Sequence, residues 1–407
     1  MRYNFEDLTM KMNSKVKCLI GISSVVGFTL APGAFAQQYD QNGATVVGNS
    51  ATVAETRADN DIDYRNAKAM HLPTLQAAPS SAFNTELTNP GRNSLFKRPG
   101  SFPGNRGDGQ QNPVQLVPRM LLKDSASSAV GVTPQEYGTS SQVYTTSRVN
   151  TAGNPALDPA SKFYPYRAAG KLFFKEGADS YVCSASLIKR GIVVTAAHCV
   201  SDYGKKLFYS NFRYVPSYNN GTAPYGTWTA ASPRVMTAYF NGTDVCTTTG
   251  VVCKNDVAVL TLVPQSGVYA GASTGWFGYG WNGYGFNSVN QALITQLGYP
   301  VALDSGALME RTDSQGYVSP ANANNTIIGS LQTGGSSGGP WVVNLGMQPV
   351  LAGTAFGAES AHNTVVGVTS WGYTDDTVKQ QGASPFLSTN IPVLVNASCA
   401  ATPAACN

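Results

Sequence analysis

Short runs of β-branched and aromatic residues, interrupted by Gly, Asn and Pro, follow one another from about Tyr164 almost to the C-terminus. Runs of this kind predict β-strands joined by tight turns. No long stretch shows the roughly 3.6-residue apolar period of an amphipathic helix, and no repeat of roughly 20 to 50 residues is evident. The sequence therefore predicts an all-β protein, built as an antiparallel barrel or sandwich. The candidate strands are Lys171 to Phe174, Tyr181 to Ile188, Gly191 to Ala196, Arg213 to Pro216, Val257 to Leu262, Trp341 to Val343 and Val365 to Trp371.

The residues that precede these runs have a different composition. Residues 37–162 are rich in Ser, Asn, Pro, Gly and Gln. Such a stretch buries too little apolar surface to offset the entropy that is lost when a chain becomes ordered. We expect a flexible, largely disordered prosegment there, followed by a β domain at residues 163–407. The region from Pro155 to Lys162 and the residue Arg148 are equally good candidates for the cut between them.

The first residues predict a signal peptide. Three lysines precede an apolar run from Cys18 to Leu30, and Ala34 and Ala36 then place small residues at the two positions that a signal peptidase reads. The apolar run is shorter than the roughly 20 residues that cross the hydrocarbon core of a membrane. We expect cleavage after Ala36, export to the periplasm or the medium, and no membrane association once residues 1–36 are removed.

Cysteine usage agrees with export. Removal of Cys18 with the signal peptide leaves three local couples, and their order makes neighbour pairing into disulfides the simplest proposal. A zinc site is a weaker interpretation, because no couple has a two-residue gap and the histidines His71 and His362 are isolated. We therefore expect no metal. The couples are Cys183 with Cys199, Cys246 with Cys253, and Cys399 with Cys406.

Charged residues are few, balanced and dispersed. Lys and Arg number 27, Asp and Glu number 23, and together they make up only 12% of the chain. Nucleic-acid binding requires a concentrated basic surface that neutralises phosphates. The sequence therefore argues against a nucleic acid as partner.

Three motifs, in the order His, Asp and Ser, carry groups that could act together in covalent catalysis. They are Thr195-Ala-Ala-His-Cys199 at the end of an apolar strand, Asn255-Asp256 before another, and the glycine-rich stretch from Gly334 to Pro340. A nucleophilic serine needs a base that takes its proton and donors that stabilise the oxyanion. The motifs supply His198 as the base, Asp256 as the carboxylate that orients it, and Ser337 as the nucleophile.

Each motif alone has a simpler explanation. A single histidine after Thr-Ala-Ala is more often structural, and glycine-rich serine loops occur in many linkers. The buried-looking strand after Asp256 favours this carboxylate, and a bridge from Cys199 to Cys183 would fix the histidine to the barrel wall. Because all three motifs occur together, they favour catalysis. The rival carboxylates between the histidine and the serine are Asp202, Asp244, Asp304 and Asp313.

With these motifs the chain resembles the chymotrypsin-like (trypsin-like) serine peptidases, specifically the secreted bacterial branch that includes the glutamyl (V8-like) endopeptidases. The resemblance covers residues 164–395 and implies two perpendicular six-stranded antiparallel β-barrels with the active site between them. It rests on Tyr164-Pro-Tyr-Arg-Ala, Cys183, Thr195-Ala-Ala-His-Cys199, Pro224-Tyr-Gly, Asn255-Asp-Val-Ala-Val-Leu, Gly298-Tyr-Pro, Gly335-Ser-Ser-Gly-Gly-Pro340 and Ser370-Trp-Gly372.

The resemblance also implies a role for each member of the motifs. Ser337 attacks the scissile carbonyl, His198 acts as base and then as acid, and Asp256 fixes the imidazole tautomer. The amides of Gly335 and Ser337 form the oxyanion hole. The function implied is that of a secreted serine endopeptidase that passes through an acyl-enzyme intermediate.

Further positions are implied on the substrate side. Ser370 supports the catalytic aspartate, and the backbone of Ser370, Trp371 and Gly372 pairs with an extended peptide substrate. Leu331 and Gln332 fall at the base of the side-chain pocket, so no aspartate there selects Lys or Arg. Thr369 stands where glutamyl endopeptidases have a histidine. We expect an open, partly apolar pocket that accepts uncharged side chains.

Ser336 departs from the pattern of the animal digestive enzymes, which have an aspartate immediately before the nucleophile. Activation by an ion pair between that aspartate and a new N-terminus is therefore not available, and the prosegment must be removed or displaced in another way. The alternative to catalysis is an idle fold of the same type that acts as a binding protein or adhesin. An esterase would place its histidine last. We expect a monomeric enzyme that has polypeptide substrates and no cofactor.

Overall fold

The structure, a computed structural model, describes residues 37–40, 42–48, 62–75, 98–116, 142–149, 160–346, 361–373, 375 and 378–407. The predicted signal peptide at residues 1–36 lies outside this set. The strands, numbered in chain order, are β1 Gln38–Tyr39, β2 Thr45–Val47, β3 Lys68–Ala69, β4 Thr74–Leu75, β5 Gly100–Phe102, β6 Val114–Gln115, β7 Tyr144–Arg148, β8 Ala169–Glu176, β9 Asp179–Lys189, β10 Ile192–Thr195, β11 Ser210–Pro216, β12 Thr222–Ala223, β13 Trp228–Met236, β14 Cys246–Thr248, β15 Val252–Cys253, β16 Ala258–Leu262, β17 Gly278–Trp281, β18 Gln291–Gly298, β19 Glu310–Ser319, β20 Asn325–Gly329, β21 Pro340–Val343, β22 Thr364–Tyr373 and β23 Gln380–Pro385.

The described helices are short. The α-helices are α1 Thr237–Asn241, α2 Gly271–Thr274 and α3 Ile391–Ala401, and the 3₁₀ helices are Ala160–Lys162, Tyr166–Ala168, Ala197–Cys199, Asp304–Gly306, Pro320–Asn322 and Pro403–Ala405. Helix α3 begins at a cap in which the side chain of Asn390 accepts a hydrogen bond from the amide of Ile391. Its residues Leu394 and Val395 are buried in the same hydrophobic cluster as Val259 and Leu260 of β16. Among the described residues, no helix is long and apolar enough to cross a membrane.

The first barrel contains six antiparallel strands in the order β13–β11–β8–β9–β10–β16, and β16 pairs with β13 to close the sheet. The inward side chains of these strands are largely aromatic and β-branched, and they exclude water from the interior. Phe173, Phe174, Phe212 and Tyr214 are among the largest of the fully buried side chains. Closure pairs the edges of the sheet with each other, so both outer strands keep their main-chain hydrogen bonds.

The second barrel contains six antiparallel strands in the order β21–β18–β19–β20–β23–β22, and β22 pairs with β21 to close it. Ile294, Ile328, Trp341 and Ala383 pack together within it. The predicted all-β class and the two six-stranded barrels are thus confirmed. All seven strands expected from the sequence coincide with observed strands, namely β8, β9, β10, β11, β16, β21 and β22. The expected bounds were too long by Gly191 and Ala196 at β10 and by Val257 at β16.

The described parts of residues 37–162 form seven short strands, which the sequence analysis did not expect. β1 and β2 extend the first barrel beside β13, and β3 adds to β9. β4 pairs with β22, β5 with β17, β6 with β12 and β7 with β19. Strand addition relies on main-chain hydrogen bonds, so a sequence poor in apolar residues can take part in it. These segments therefore pair with strands of the barrels or with the short strands β12 and β17.

Three disulfides pair the cysteines as neighbours. Cys183–Cys199 joins β9 to the 3₁₀ helix after β10, Cys246–Cys253 joins β14 to β15, and Cys399–Cys406 ties helix α3 to the residue that follows the last 3₁₀ helix. These are the couples that the order of cysteines in the sequence suggested.

Candidate active site

His198 lies at the end of β10, at the edge of the first barrel. Strand β10 continues directly into the 3₁₀ helix Ala197–Cys199, in which all three residues are buried. Cys199 is bonded to Cys183 in β9. The disulfide thus fixes the position of the histidine relative to the wall of the barrel.

Asp256 lies two residues before β16 and contacts the histidine twice. Its Oδ1 accepts a hydrogen bond from the backbone amide of His198 at 2.9 Å, and its Oδ2 lies 2.8 Å from Nδ1 of the ring. Both side chains are buried. An ionised carboxylate can only accept, so this contact keeps the ring hydrogen on Nδ1 and leaves Nε2 unprotonated in the neutral ring.

Most of the rival carboxylates have other partners. Asp244 accepts hydrogen bonds from the amide and side chain of Asn255, and burial raises the pKa of this carboxyl. Asp304 is paired with Arg148. Asp313 accepts hydrogen bonds from Thr295 and Arg311. Of the five described carboxylates considered from the sequence, only Asp256 is hydrogen-bonded to His198.

Ser370 connects the two barrels at this point. It belongs to β22 of the second barrel, and its Oγ donates a hydrogen bond to Oδ2 of Asp256 at 2.6 Å. The carboxylate of Asp256 therefore accepts hydrogen bonds from residues of both barrels. Ser370 thus lies beside the carboxylate that, by the family resemblance, it is expected to support.

Ser337 lies in the loop between β20 and β21 and faces the first barrel. Its carbonyl accepts a hydrogen bond from the amide of Ser184 at 2.7 Å. Gly338 has a φ of +75°, and a Cβ built on it would lie 2.0 Å from Oγ1 of Thr195, so only glycine fits this close approach. Within the described residues, neither Oγ of Ser337 nor Nε2 of His198 makes a hydrogen bond, although both atoms are buried.

Gly335 begins the turn that leads to Ser337. Its φ is +90°, which favours glycine, and its carbonyl accepts a hydrogen bond from Oγ of Ser184 at 2.8 Å. The same Ser184 hydroxyl accepts from the amide of Tyr299 at 2.9 Å. The amide of Gly335 donates to the carbonyl of Met70 at 3.2 Å. Ser184 could not be identified from the sequence, where its only signal is its place next to Cys183.

A cavity of about 490 Å³ lies beside this loop. Three of the predicted substrate-binding residues, Leu331, Gln332 and Gly372, line it. Its lining is mostly uncharged, with Asp375 and Lys379 as the charged exceptions of opposite sign. Leu331, where the resemblance places the base of the side-chain pocket, is thus an uncharged residue of this lining.

A network of buried side chains in the second barrel includes the other predicted positions. Gln296 donates from its amide to Oγ1 of Thr369 at 2.9 Å and also to Gln381. The indole of Trp341 donates to the same Thr369 hydroxyl at 2.8 Å. Trp371 is buried and donates to Asn325. The side chains of Thr369 and Trp371 thus lie in the barrel interior, outside the lining of the cavity.

Two groups of side chains bring possible metal ligands within 4.8 Å of one another. One consists of His198 with Cys183 and Cys199, and the other of Asp244 with Cys246 and Cys253. The four cysteines form disulfides, so their sulfurs are not thiolate ligands. Only His198 then remains in the first group and only Asp244 in the second. A typical metal site has three or four protein ligands.

Comparison with known proteins gives one match to a protein family. The family model described as Trypsin matches residues 159–393, more than half of the chain. Among solved structures, protease Anisep from Arthrobacter nicotinovorans is similar at 25% identity and a TM-score of 0.44, over 59% of this chain and 95% of that one. The thermostable serine protease AL20 from an extremophilic microorganism has 23% identity and a TM-score of 0.42, over 58% and 97%. A Glu endopeptidase in complex with MPD has 17% identity and a TM-score of 0.41, over 63% and 96%. No curated protein matches the sequence.

Proposed function

Because the chain belongs to the trypsin family, we propose that it is a serine endopeptidase with Ser337, His198 and Asp256 as its catalytic triad. The observation that carries the proposal is the double contact between Asp256 and His198. One oxygen of the carboxylate holds the histidine backbone and the other holds Nδ1 of the ring. This arrangement directs Nε2 away from the carboxylate, as a general base requires.

The reaction begins with attack of Ser337 Oγ on the scissile carbonyl of a polypeptide. Nε2 of His198 accepts the hydroxyl proton, and the carboxylate of Asp256 stabilises the resulting imidazolium. The histidine then gives the proton to the leaving amine, and an acyl-enzyme forms on Ser337. Water attacks this ester by the same route in reverse. Hydrogen bonds between catalytic groups often form only in the substrate complex, which fits the unbonded Oγ and Nε2 here.

The backbone around Ser337 supplies the electrostatic part of catalysis. The amides of Gly335 and Ser337 stabilise the oxyanion of the tetrahedral intermediate, and loss of one such donor typically costs about 3 kcal/mol. Ser184 supports this turn through its bond to the carbonyl of Gly335. Because Ser184 touches the turn and not the reacting atoms, its role is one of positioning.

The substrate is an extended polypeptide whose uncharged side chain enters the cavity beside Leu331 and Gln332. We further propose that the protein is exported to the periplasm or the medium after removal of residues 1–36. It matures from a longer precursor and acts as a monomer without a cofactor. The three disulfides support export, since such bonds persist in oxidising compartments.

The test is hydrolysis of a fluorogenic peptide library by two neighbouring serine variants. Ser337→Ala should lower kcat at least ~10⁴-fold, because it removes the nucleophile. Ser336→Ala is the matched control and should retain most activity, because its hydroxyl bonds only the carbonyl of Thr333 and Gln381 within the described residues. Circular dichroism would verify that both variants fold. Undiminished cleavage by Ser337→Ala would exclude this nucleophile, and no cleavage by folded, fully processed wild type would favour an idle, ligand-binding fold.

A further inference from the structure

A short extended segment from the region before the barrels crosses the candidate active site. We call residues 68–75 the cleft segment. It begins as β3, which pairs in parallel with β9 so that Lys68 faces Tyr181 and Ala69 faces Val182. It ends as β4, which pairs in parallel with β22. The segment is therefore attached to the first barrel at one end and to the second barrel at the other.

The centre of the cleft segment meets the turn before Ser337. The amide of Met70 donates to the carbonyl of Val182 at 2.9 Å, and the carbonyl of Met70 accepts from the amide of Gly335 at 3.2 Å. Under the proposed function, that Gly335 amide stabilises the oxyanion. Met70 thus places a peptide carbonyl at a donor that catalysis requires.

The second half of the cleft segment uses the strand that was proposed to hold substrate. The amide of Gly372 donates to the carbonyl of Pro73 at 3.0 Å, and Thr74 and Leu75 lie opposite Gly372 and Tyr373. The side chain of Leu72 is only 9% exposed and lines the cavity beside the loop of Ser337. The segment therefore occupies the main-chain part of the site and forms part of the wall of the cavity beside it.

Residues just before the cleft segment strengthen its attachment to the first barrel. Ile62 is buried in the core of that barrel, and the ring of Tyr64 packs edge-on against Phe173 with centroids 4.9 Å apart. The amide of Asp63 donates to Oγ of Ser180 at 3.1 Å. This apolar attachment lies outside the cleft, so it holds the segment in place without using catalytic groups.

We propose that the cleft segment is an intramolecular inhibitor, and that the substrate cleft binds it in the place of a polypeptide substrate. This inference rests on the proposed function. The amides of Gly335 and Gly372 each carry one hydrogen, and the carbonyls of Met70 and Pro73 already accept both. Substrate and segment therefore exclude each other. A cut elsewhere in the chain leaves these contacts intact, so activation requires that the segment itself leaves the cleft.

A reversible disulfide lock tests the inference in the full chain. A Cβ built on Gly334 would lie 3.9 Å from Cβ of Ala69, within the roughly 3.5–4.5 Å found in disulfides. Ala69→Cys with Gly334→Cys should thus form a bond that retains the segment even after cleavage of the chain elsewhere. The readouts are the rate at which a fluorophosphonate labels Ser337 and the hydrolysis of a fluorogenic peptide, before and after mild reduction. The single variants Ala69→Cys and Gly334→Cys are the controls.

We expect the oxidised double variant to react at least ~10-fold more slowly than the reduced one, because the disulfide raises the effective concentration of the segment at the cleft above that given by the peptide linkage alone. The single variants should show no such dependence on reductant. Equal rates in the oxidised and reduced double variant would overturn the inference while leaving the proposed function standing. Absence of labelling and hydrolysis in folded, fully processed wild type would contradict the proposed function, and the inference with it.

A second variant tests the same inference without a new disulfide. Leu72→Asp places a charge at a buried position of the segment and should weaken its binding, so initial labelling of the full chain should become several-fold faster. Val143→Asp is the matched control, because this side chain is 60% exposed and lies outside the cleft segment. Identical labelling rates for the two variants and wild type would contradict inhibition by residues 68–75.

Discussion

The two sides of the candidate active site are built in different ways. The base side consists of His198, Asp256 and the disulfide Cys183–Cys199, and it lies in the first barrel. The pocket side lies in the second barrel and consists of uncharged amide and hydroxyl side chains that bond one another, namely Gln296, Ser330, Thr369 and Gln381. Gln381 also donates to the backbone carbonyl of Gln332. One side is held by a covalent bond and a carboxylate, and the other by a buried polar network.

Because of this difference, substitutions on the two sides should have different effects on catalysis and on stability. A buried carboxylate that holds a base has no substitute, so its loss affects the reaction itself. A buried network of neutral groups shares its hydrogen bonds among several members, so the loss of one group costs about the energy of one unsatisfied partner. We therefore expect large kinetic effects on the base side and modest stability effects on the pocket side.

The largest effect is expected for Asp256→Asn. An amide can donate as well as accept, so His198 no longer keeps its hydrogen on Nδ1, and kcat should fall about 10⁴-fold. Steady-state kinetics on a fluorogenic peptide would measure this loss. Asp313→Asn is the control, because Asp313 pairs with Arg311 and Thr295. An equal loss of kcat in both variants would show that the carboxylate of Asp256 has no special role in the reaction.

The next effect concerns the disulfide of the base side. Replacing Cys183 and Cys199 together with alanine should lower the free energy of unfolding by about 3 kcal/mol, given the loop that this bond closes, and should also lower kcat. The matched control removes Cys399 and Cys406, which are 7 residues apart instead of 16. It should cost about 2 kcal/mol and leave kcat nearly unchanged. Urea unfolding and kinetics on both variants would test this, and an equal kinetic loss would contradict a local role for Cys183–Cys199.

A third prediction concerns Lys171, which joins the two sides. It belongs to β8 of the first barrel, but its Nζ donates to the carbonyl of Gly306 in the connection between β18 and β19 at 2.7 Å. Burial lowers the pKa of this lysine from 10.5 to about 7. Because the unfolded chain keeps the proton to a higher pH than the folded protein does, this group makes stability increase with pH from 7 toward 10.

Lys171→Met removes that dependence. The free energy of unfolding of wild type, relative to the variant, should rise by about 2 kcal/mol between pH 7 and pH 9. Urea unfolding at several pH values measures the difference. Lys175→Met, on the same strand but partly exposed, is the control and should give a smaller change. A difference that is constant with pH would show that Lys171 remains charged in the folded protein.

The smallest effect is expected on the pocket side for Thr369→Val. The change removes the acceptor of the Trp341 indole, whereas Gln296 keeps Gln381 as an acceptor. One unsatisfied donor should lower the free energy of unfolding by about 1 kcal/mol. Because Thr369 does not line the cavity, the residues preferred at the cut site should not change. A changed preference at the cut site would show that the side chain of Thr369 contributes to substrate selection.

The same difference explains which parts of the site could be predicted from the sequence alone. The base side was predictable, because its signals are local: a histidine next to a cysteine, a cysteine partner nearby, and an aspartate before an apolar strand. The strands predicted from apolar runs were also confirmed. By contrast, β19 has the sequence Glu-Arg-Thr-Asp-Ser-Gln-Gly-Tyr-Val-Ser, and it buries polar residues such as Thr312 and Ser314 through hydrogen bonds to other strands.

The contacts of the pocket side could not be predicted from the sequence, since they join residues that are far apart in the chain. Gln296 bonds Ser330, Thr369 and Gln381 across the barrel, over separations of 34 to 85 residues. The short strands before residue 160 were missed for a related reason. They pair through backbone groups, which every residue has, so their side chains give no pattern.

The most direct test of the central claim, that Ser337 is the nucleophile of a serine endopeptidase, is mass-spectrometric profiling of a denatured protein mixture digested by the purified mature enzyme. The digestion is carried out with and without a fluorophosphonate, and the enzyme is mapped for the site of labelling. We predict cleavage after uncharged residues, loss of cleavage with the inhibitor, and a label on Ser337. A folded, fully processed sample that cuts no protein and takes no label at Ser337 would contradict the claim.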